Sequence, residues 1–100
     1  MRAVTLPPNK TLSVPYMFTP NATVWICVRS NQPVDVFMVD AEGLAAFQRN
    51  EMFVSWGGST GRLEHSLSVF LPSRAQWNLL IKNKSTQATV QYAVFPGVEG

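Results

Sequence analysis

The strongest structural signal in the chain lies between Arg62 and Asn83, which read RLEHSLSVFLPSRAQWNLLIKN. Apolar residues alternate with polar ones on both sides of a short break, and this period of two is typical of half-buried β-strands. Pro72-Ser73-Arg74 predicts a turn between the two strands. The stretch therefore predicts a β-hairpin in which one face is apolar, formed by Leu67, Val69, Leu71, Trp77, Leu79 and Ile81.

Similar short runs occur along the rest of the chain, with turn signals about every ten residues. They predict strands near residues 4–6, 11–14, 23–29, 34–39, 52–56 and 90–95. Asp40 has the chemistry of a helix N-cap, and Leu44 and Phe47 share a face of the short helix that follows. The fold class is thus all-β. We expect an antiparallel, jelly-roll-like β-sandwich of seven to eight short strands, with one short helix between strands four and five.

Composition indicates a single domain with an unusually uncharged surface. We assign the domain to residues 1–95 and expect residues 96–100 to be a frayed end. Only 14% of the 100 residues are charged, against about 25% in a typical soluble domain. A surface with so few charges resists self-association weakly, so we expect a protein partner or a homo-oligomer. The eight basic residues are scattered, which argues against a nucleic-acid footprint.

Cysteine content and hydropathy bear on the compartment. Cys27 is the only cysteine, so an internal disulfide is excluded, and it lies in an apolar run where a thiol is usually buried. The first residues lack the apolar core of a signal peptide and no run reaches 18 apolar residues, so we expect a cytoplasmic protein without a membrane span. Three N-glycosylation patterns, which begin at Asn9, Asn21 and Asn83, leave a secreted or surface-exposed location as the alternative.

Catalytic and metal chemistry are not indicated by any spacing of residues. His65 is the only histidine, and its neighbours Glu64 and Ser66 point to the opposite face of a strand. One histidine and one cysteine are too few for a zinc site. The loop at Gly57-Gly58 lacks the Lys-Ser/Thr ending of a phosphate-binding P-loop. We therefore expect no enzyme, no cofactor and no metal.

Two surfaces are candidates for binding. Trp25, Phe70, Leu80 and Phe95 lie on the registers opposite to the core residues of their strands. They form an apolar interface if that face is exposed, and belong to the core if it is covered.

The second candidate lies at a predicted rim, where Trp56 would stand beside the flexible Gly57-Gly58 loop. Arg62 and His65 would return along the partner strand, next to the ring. An aromatic face beside a cation suits a sugar ring, a nucleobase or an anionic group. The alternative is that Trp56 only covers one end of the core.

Several of these residues also carry a family resemblance. Phe47 at a helix end, the loop Trp56-Gly57-Gly58, Pro72 and Trp77 resemble the pattern of a family of small bacterial β-sandwich domains of unknown function. Some members of that family precede Toll/interleukin-receptor (TIR) domains. The resemblance covers about residues 34 to 95, and there is a looser similarity to Golgi-dynamics-type domains. Ala75-Gln76 departs from the family's turn glycine, and Ser66-Leu67 departs from its Ser-Pro.

The resemblance implies a binding or sensing module. Together with the surface composition, it leads us to expect a non-enzymatic module for protein recognition or oligomerisation within a larger bacterial system. The alternative is a module that binds carbohydrate or another small ligand through rim aromatics, namely Trp56, Trp25 or Tyr16.

Overall fold

The computed structural model describes residues 2–18, 21–72 and 76–96. These residues form six strands and one helix, and every strand pairing is antiparallel, which confirms the all-β class with one short helix. The elements are β1 (Arg2–Leu6), β2 (Thr11–Met17), β3 (Ala22–Val39), α1 (Ala41–Gln48), β4 (Gly57–Leu71), β5 (Gln76–Asn83) and β6 (Ala88–Pro96). The predicted turn residues Ser73 and Arg74 lie outside the described residues. Of the predicted frayed end at 96–100, Pro96 is the last residue of β6, and residues 97–100 lie outside the described residues.

The 18-residue strand β3 organises the sheet. Its first half pairs with β6, which pairs in turn with β1, and its second half pairs with β5, which pairs with β2. Strand β4 follows the other edge of β3 along both halves, with register shifts between Arg29 and Val36. Gly61 lies near these shifts with a φ of 65°, a left-handed conformation that glycine adopts without strain. Irregularities of this kind bend a strand, and the sheet curls into a half-barrel.

The curl brings the two ends of β4 together. A Cβ atom added at Gly57, the first residue of β4, would lie 2.5 Å from Cγ2 of Val69, near the other end of the same strand. Real Cβ atoms do not approach another carbon so closely, so any residue larger than glycine at this position would force the side chain of Val69 to shift. The two halves of β4 therefore face each other across the interior of the protein.

Three features of the predicted strand pattern are wrong. Residues 23–29 and 34–39 belong to one strand, because Asn31-Gln32-Pro33 forms an irregularity within β3 and not a turn. Residues 52–55 are not a strand. Among the described pairings, β4 pairs with β3, while β5 pairs with β3 and β2, so the predicted hairpin of β4 with β5 does not form. Alternation reveals which face of a strand is buried, but it carries no information about the neighbouring strand.

The core lies inside the curl and contains the predicted apolar face. Trp77 is 1% exposed and is the largest fully buried side chain, which confirms its predicted place in the core. Its partner across the strand pair is Tyr16 of β2. The other buried members include Val24, Ile26, Val28, Val34, Val36, Met38, Val69, Leu71, Leu79, Ile81 and Val90.

Helix α1 begins where Asp40 predicted, because the Asp40 carboxylate accepts a hydrogen bond of 2.8 Å from the Gly43 amide. The helix packs against β3 and β5 on the side away from the core. There the ring of Phe53 contacts the rings of Phe37 and Phe47 edge-on, at centroid distances of 5.3 and 5.5 Å. This aromatic cluster covers the second face of the sheet at that end of the molecule.

The side chain of Asn83 is fully buried, and its hydrogen bonds link the end of β1 and the β1–β2 connection to the β5–β6 connection. The two hydrogens of its side-chain amide are directed at three carbonyl oxygens, those of Leu6, Pro7 and Thr86 at 3.0, 3.2 and 2.7 Å, so one hydrogen is shared. Its side-chain oxygen accepts a hydrogen bond of 2.9 Å from the Ser85 amide. Asn83 therefore cannot carry a glycan in this fold, although it begins one of the three N-glycosylation patterns. The other two acceptors, Asn9 and Asn21, are exposed.

Candidate interaction face

Three large aromatic side chains lie exposed on the outer face of the sheet formed by β6, the first half of β3, and β4. The side chains of Trp25 on β3, Phe70 on β4 and Phe95 on β6 are 48%, 54% and 53% exposed. Their neighbours Val24 and Ile26 point inward and are fully buried. The alternation of each strand thus fixes which residues reach this face. We call this surface the aromatic face.

The strand register places the three residues at neighbouring positions on this face. Trp25 and Phe95 are direct partners across the β3–β6 pair. Phe70 is the direct partner of Thr23, so it lies diagonally from Trp25 across the β3–β4 pair. Diagonal neighbours are about 7–8 Å apart, within reach of aromatic side chains. The three residues therefore form one continuous patch and are not isolated exposed residues.

The rest of the aromatic face carries mostly small polar residues, and its few charges, those of Arg29, Glu64 and Arg62, lie together at one end. On β4, Ser66 and Ser68 are exposed beside Cys27 and Trp25 of β3. At the far end, Arg29 and Glu64 form an exposed ion pair with an Nε–Oε1 distance of 3.4 Å. An exposed pair of this kind contributes about 0–1 kcal/mol to stability. It does, however, place one charge of each sign at one end of the face.

Leu80, the fourth predicted interface residue, does not belong to the aromatic face. It is fully buried and pairs with Phe37 in the second half of β3, where the cluster around Phe53 covers the sheet. The register that predicted an outward position for Leu80 is correct. The interface prediction is wrong for this residue because α1 and the segment after it occupy that side of the sheet.

His65 is buried, although the rim prediction needed it at the surface. Its Nε2 atom lies 2.9 Å from the Val34 carbonyl oxygen and 3.1 Å from the Arg62 carbonyl oxygen. Carbonyl oxygens only accept hydrogen bonds, so Nε2 carries the hydrogen and donates to both. Nδ1 is buried and has no hydrogen-bond partner among the described residues. Both ring nitrogens are thus inside the protein, and His65 is a structural residue.

The remaining rim residues are separated along one strand. Gly57 and Gly58 are the first residues of β4 and not a loop, and Arg62 lies further along that same strand. Arg62 comes six residues after Trp56, which corresponds to roughly 20 Å of extended chain. The two residues line different cavities, of about 410 Å³ for Trp56 and about 400 Å³ for Arg62. The structure does not unite the predicted rim site.

Trp56 nevertheless combines a structural contact with an accessible surface. Its ring meets the ring of Trp77 edge-on, at a centroid distance of 5.4 Å and an interplanar angle of 84°. Its backbone amide donates a hydrogen bond of 2.8 Å to the Met38 carbonyl oxygen. The side chain remains 42% exposed, and the carboxylates of Asp40 and Glu42 line the same cavity. Trp56 therefore covers the end of the core and also leaves part of its ring accessible in the cavity.

Metal-binding and membrane-spanning features are not found in the described part of the chain. Within residues 2–18, 21–72 and 76–96, no three His, Cys, Asp or Glu side chains come together in a way that could hold a metal ion. The eight-residue α1 is the helix of this part of the chain, and no helix there has the length and hydropathy needed to cross a membrane.

Comparison of the chain with protein-family models and with curated proteins finds no match. The resemblance to the bacterial β-sandwich family stays a prediction. The sequence analysis did not assign Ser66 and Ser68 to this face, where they lie beside Cys27 and Trp25. Their signal is present in the sequence, because they alternate with Leu67 and Val69 and share a register with Phe70.

Proposed function

We propose that this protein is a non-enzymatic binding module that recognises a protein partner through the aromatic face. The observation that carries the proposal is the continuous patch of Trp25, Phe70 and Phe95, each about half exposed on one face of the sheet. Single exposed apolar residues are common, but a contiguous apolar patch with a polar surround marks an interaction site. Tryptophan and other aromatic residues also supply much of the binding energy in protein interfaces.

The charge distribution favours a protein surface over nucleic acid. The charged residues at one end of the aromatic face are Arg29, Glu64 and the exposed Arg62, which line one cavity, and Arg29 and Glu64 pair with each other. A phosphate backbone needs a cluster of unpaired cations, and this face offers none among the described residues. An aromatic and serine-rich face with few charges suits a partner surface that is itself apolar with a polar rim.

The proposal extends to the architecture and the cellular role. We propose that the curled sheet is a jelly-roll-like β-sandwich, supported by the approach of Gly57 to Val69 across the interior. The resemblance to bacterial domains that precede TIR domains suggests a recognition or sensing role, and a cytoplasmic location agrees with that role.

A capture experiment with matched variants tests the proposed function. The wild type, Trp25→Ser and Met52→Ser are each immobilised and exposed to an extract of the source cells. Met52 is another exposed apolar side chain, but it lies in the segment between α1 and β4. We expect a partner that binds the wild type and Met52→Ser equally and binds Trp25→Ser at least tenfold less. The purified partner must then reproduce this ranking. Partners retained equally by Trp25→Ser would contradict the proposal.

A carbohydrate-binding function is the second candidate, and the cavity beside Trp56 favours it. A fixed aromatic ring can stack on a sugar, while the carboxylates of Asp40 and Glu42 can accept hydrogen bonds from its hydroxyl groups. A glycan array separates the two functions. A carbohydrate module would retain glycans in the wild type and in Trp25→Ser, and would lose them in Glu42→Ala, which leaves the Trp56–Trp77 contact intact. The absence of any glycan retained by the wild type would exclude this candidate.

A further inference from the structure

The aromatic face is complementary to itself, because its outward residues on β3 match its outward residues on β4. Across the β3–β4 pair, the outward residues are matched as Thr23 with Phe70, Trp25 with Ser68, Cys27 with Ser66, and Arg29 with Glu64. In three of these four pairs one residue is larger than its partner, and in the fourth pair the two residues carry opposite charges. We call the outward residues of β3 the β3 column and those of β4 the β4 column. The two columns therefore complement each other in residue size and in charge.

We propose that two copies of this chain form a dimer in which the β3 column of each copy packs on the β4 column of the other. The inference rests on the proposed function and names its partner as a second copy. The required symmetry is a two-fold axis parallel to the strands, between β3 and β4 and just above the face. Rotation about this axis exchanges the two columns and keeps every residue at its level along the strands.

In the dimer, residues that are partners across β3 and β4 within one copy also face each other between the two copies. Trp25 of each copy lies over Ser68 of the other, where the small serine leaves room for the indole. Arg29 of each copy lies over Glu64 of the other, so two ion pairs between the copies form at one end of the interface. Sheets that pack face to face in this aligned way lie about 10 Å apart, a distance that interdigitating side chains fill.

The remaining aromatic residues extend the contact. Phe95 lies one strand further from the axis than Trp25 and at the same level, so it reaches the β4 edge of the other copy, near Phe70. The alternative axis, perpendicular to the strands, reverses the levels and places each Arg29 away from Glu64 of the other copy. The charge pattern therefore selects the parallel axis.

The size of the face limits the strength of the dimer. Residues 23 to 29 span about 20 Å along the strand, and four adjacent strands span about 19 Å. The footprint is therefore at most roughly 400 Å² on each copy, because the face is the outer side of a curled sheet. A standard, stable interface buries about 800 Å² on each side. The dimer is therefore weak, with a dissociation constant in the micromolar range or above. The formal net charge of +2 adds little repulsion between the copies.

Charge reversal tests the exchanged columns directly. In a homodimer, Arg29→Glu places a second carboxylate over Glu64 at both ion-pair positions, and Glu64→Arg places two guanidinium groups together at each. A mixture of the two variants restores both ion pairs in a heterodimer. We expect sedimentation equilibrium to show self-association of the wild type at high concentration and about tenfold weaker association of each variant alone. The mixture should recover to within a few-fold of the wild type, with the heterodimer identified by native mass spectrometry.

Matched controls separate the interface from the fold. Arg49→Glu and Glu51→Arg make the same charge changes beyond α1, away from the aromatic face, and should leave association unchanged. Melting curves of Arg29→Glu and Glu64→Arg should stay close to the wild type, because the Arg29–Glu64 pair is exposed. Trp25→Ser should abolish association without unfolding the domain.

The outcomes distinguish this inference from the proposed function. A wild type that stays monomeric at the highest concentration refutes the dimer, while the capture experiment still decides whether the face binds another protein. Self-association without recovery in the mixture refutes the exchange of columns. Self-association that Trp25→Ser leaves unchanged places the contact elsewhere and refutes the dimer through this face.

Discussion

Replacing Trp77 with alanine should lower the free energy of unfolding by about 3–5 kcal/mol, the usual cost of removing a buried aromatic ring. Trp77 is 1% exposed, and its ring meets the ring of Trp56 edge-on. Its loss leaves a cavity that the curled sheet cannot close, because β5 is held on both sides by β2 and β3. For a domain with about 5–15 kcal/mol of total stability, the change would unfold a large fraction of the molecules.

Urea denaturation followed by circular dichroism measures this effect, with Trp25→Ala as the matched control. Trp25 is also a tryptophan in the middle of a strand, but its side chain is 48% exposed. Its removal should change the free energy of unfolding by less than about 1 kcal/mol. Equal denaturation midpoints for the two variants would mean that the assignment of the inner and outer faces is wrong.

The contrast between these two tryptophans also shows what the sequence determines. Alternation within a strand is a local property, since successive side chains point to opposite faces whatever the strand pairs with. It was therefore enough to place Trp77 in the core and Trp25 with Phe70 and Phe95 on the opposite registers. The cap at Asp40 was predictable for the same reason, because it depends on residues within one turn of the helix.

Contacts between distant segments could not be read in this way. Leu80 and Phe70 both occupy outward registers, but α1 and the segment after it cover one and leave the other exposed. The pairing of β4 with β3, in place of β5, depends on the length and bend of β3. The residues Asn31-Gln32-Pro33 predicted a turn at this place, so the full length of β3 was not apparent from the sequence. Burial of His65, by contrast, follows from alternation, because His65 shares the inward register of Val69 and Leu71 and is the partner of the buried Val28.

The candidate site was partly predictable for these physical reasons. Three of the four predicted interface residues, Trp25, Phe70 and Phe95, share one exposed face. Alternation sets the direction of their side chains, and the strands that carry them are neighbours in the sheet. The predicted rim failed because it required a loop at Gly57-Gly58 and a return strand carrying Arg62. The two glycines instead begin β4, where a Cβ atom at Gly57 would force the side chain of Val69 to shift.

Replacing Asn83 with alanine should cost about 3–5 kcal/mol of stability, although the change removes few atoms. The side chain makes four hydrogen bonds from a fully buried position, to Leu6, Pro7, Thr86 and Ser85. A hydrogen bond contributes about 0.5–1.5 kcal/mol net, and a buried polar group left without a partner costs about 1–3 kcal/mol. The loss is therefore concentrated where the β1–β2 and β5–β6 connections meet.

Two further variants separate these hydrogen bonds from a general effect of asparagine loss. Asn31→Ala removes one exposed hydrogen bond, from the Thr89 amide, and should cost about 1 kcal/mol or less. Asn83→Asp keeps the shape and the acceptor for Ser85 but replaces the donor with a carboxylate that faces three carbonyl oxygens. It should be at least as destabilising as Asn83→Ala, since burial of an unpaired charge adds a further cost. Urea midpoints for Asn83→Asp close to that of the wild type would show that the donor bonds contribute little, and the connections would then be held by the strand pairings alone.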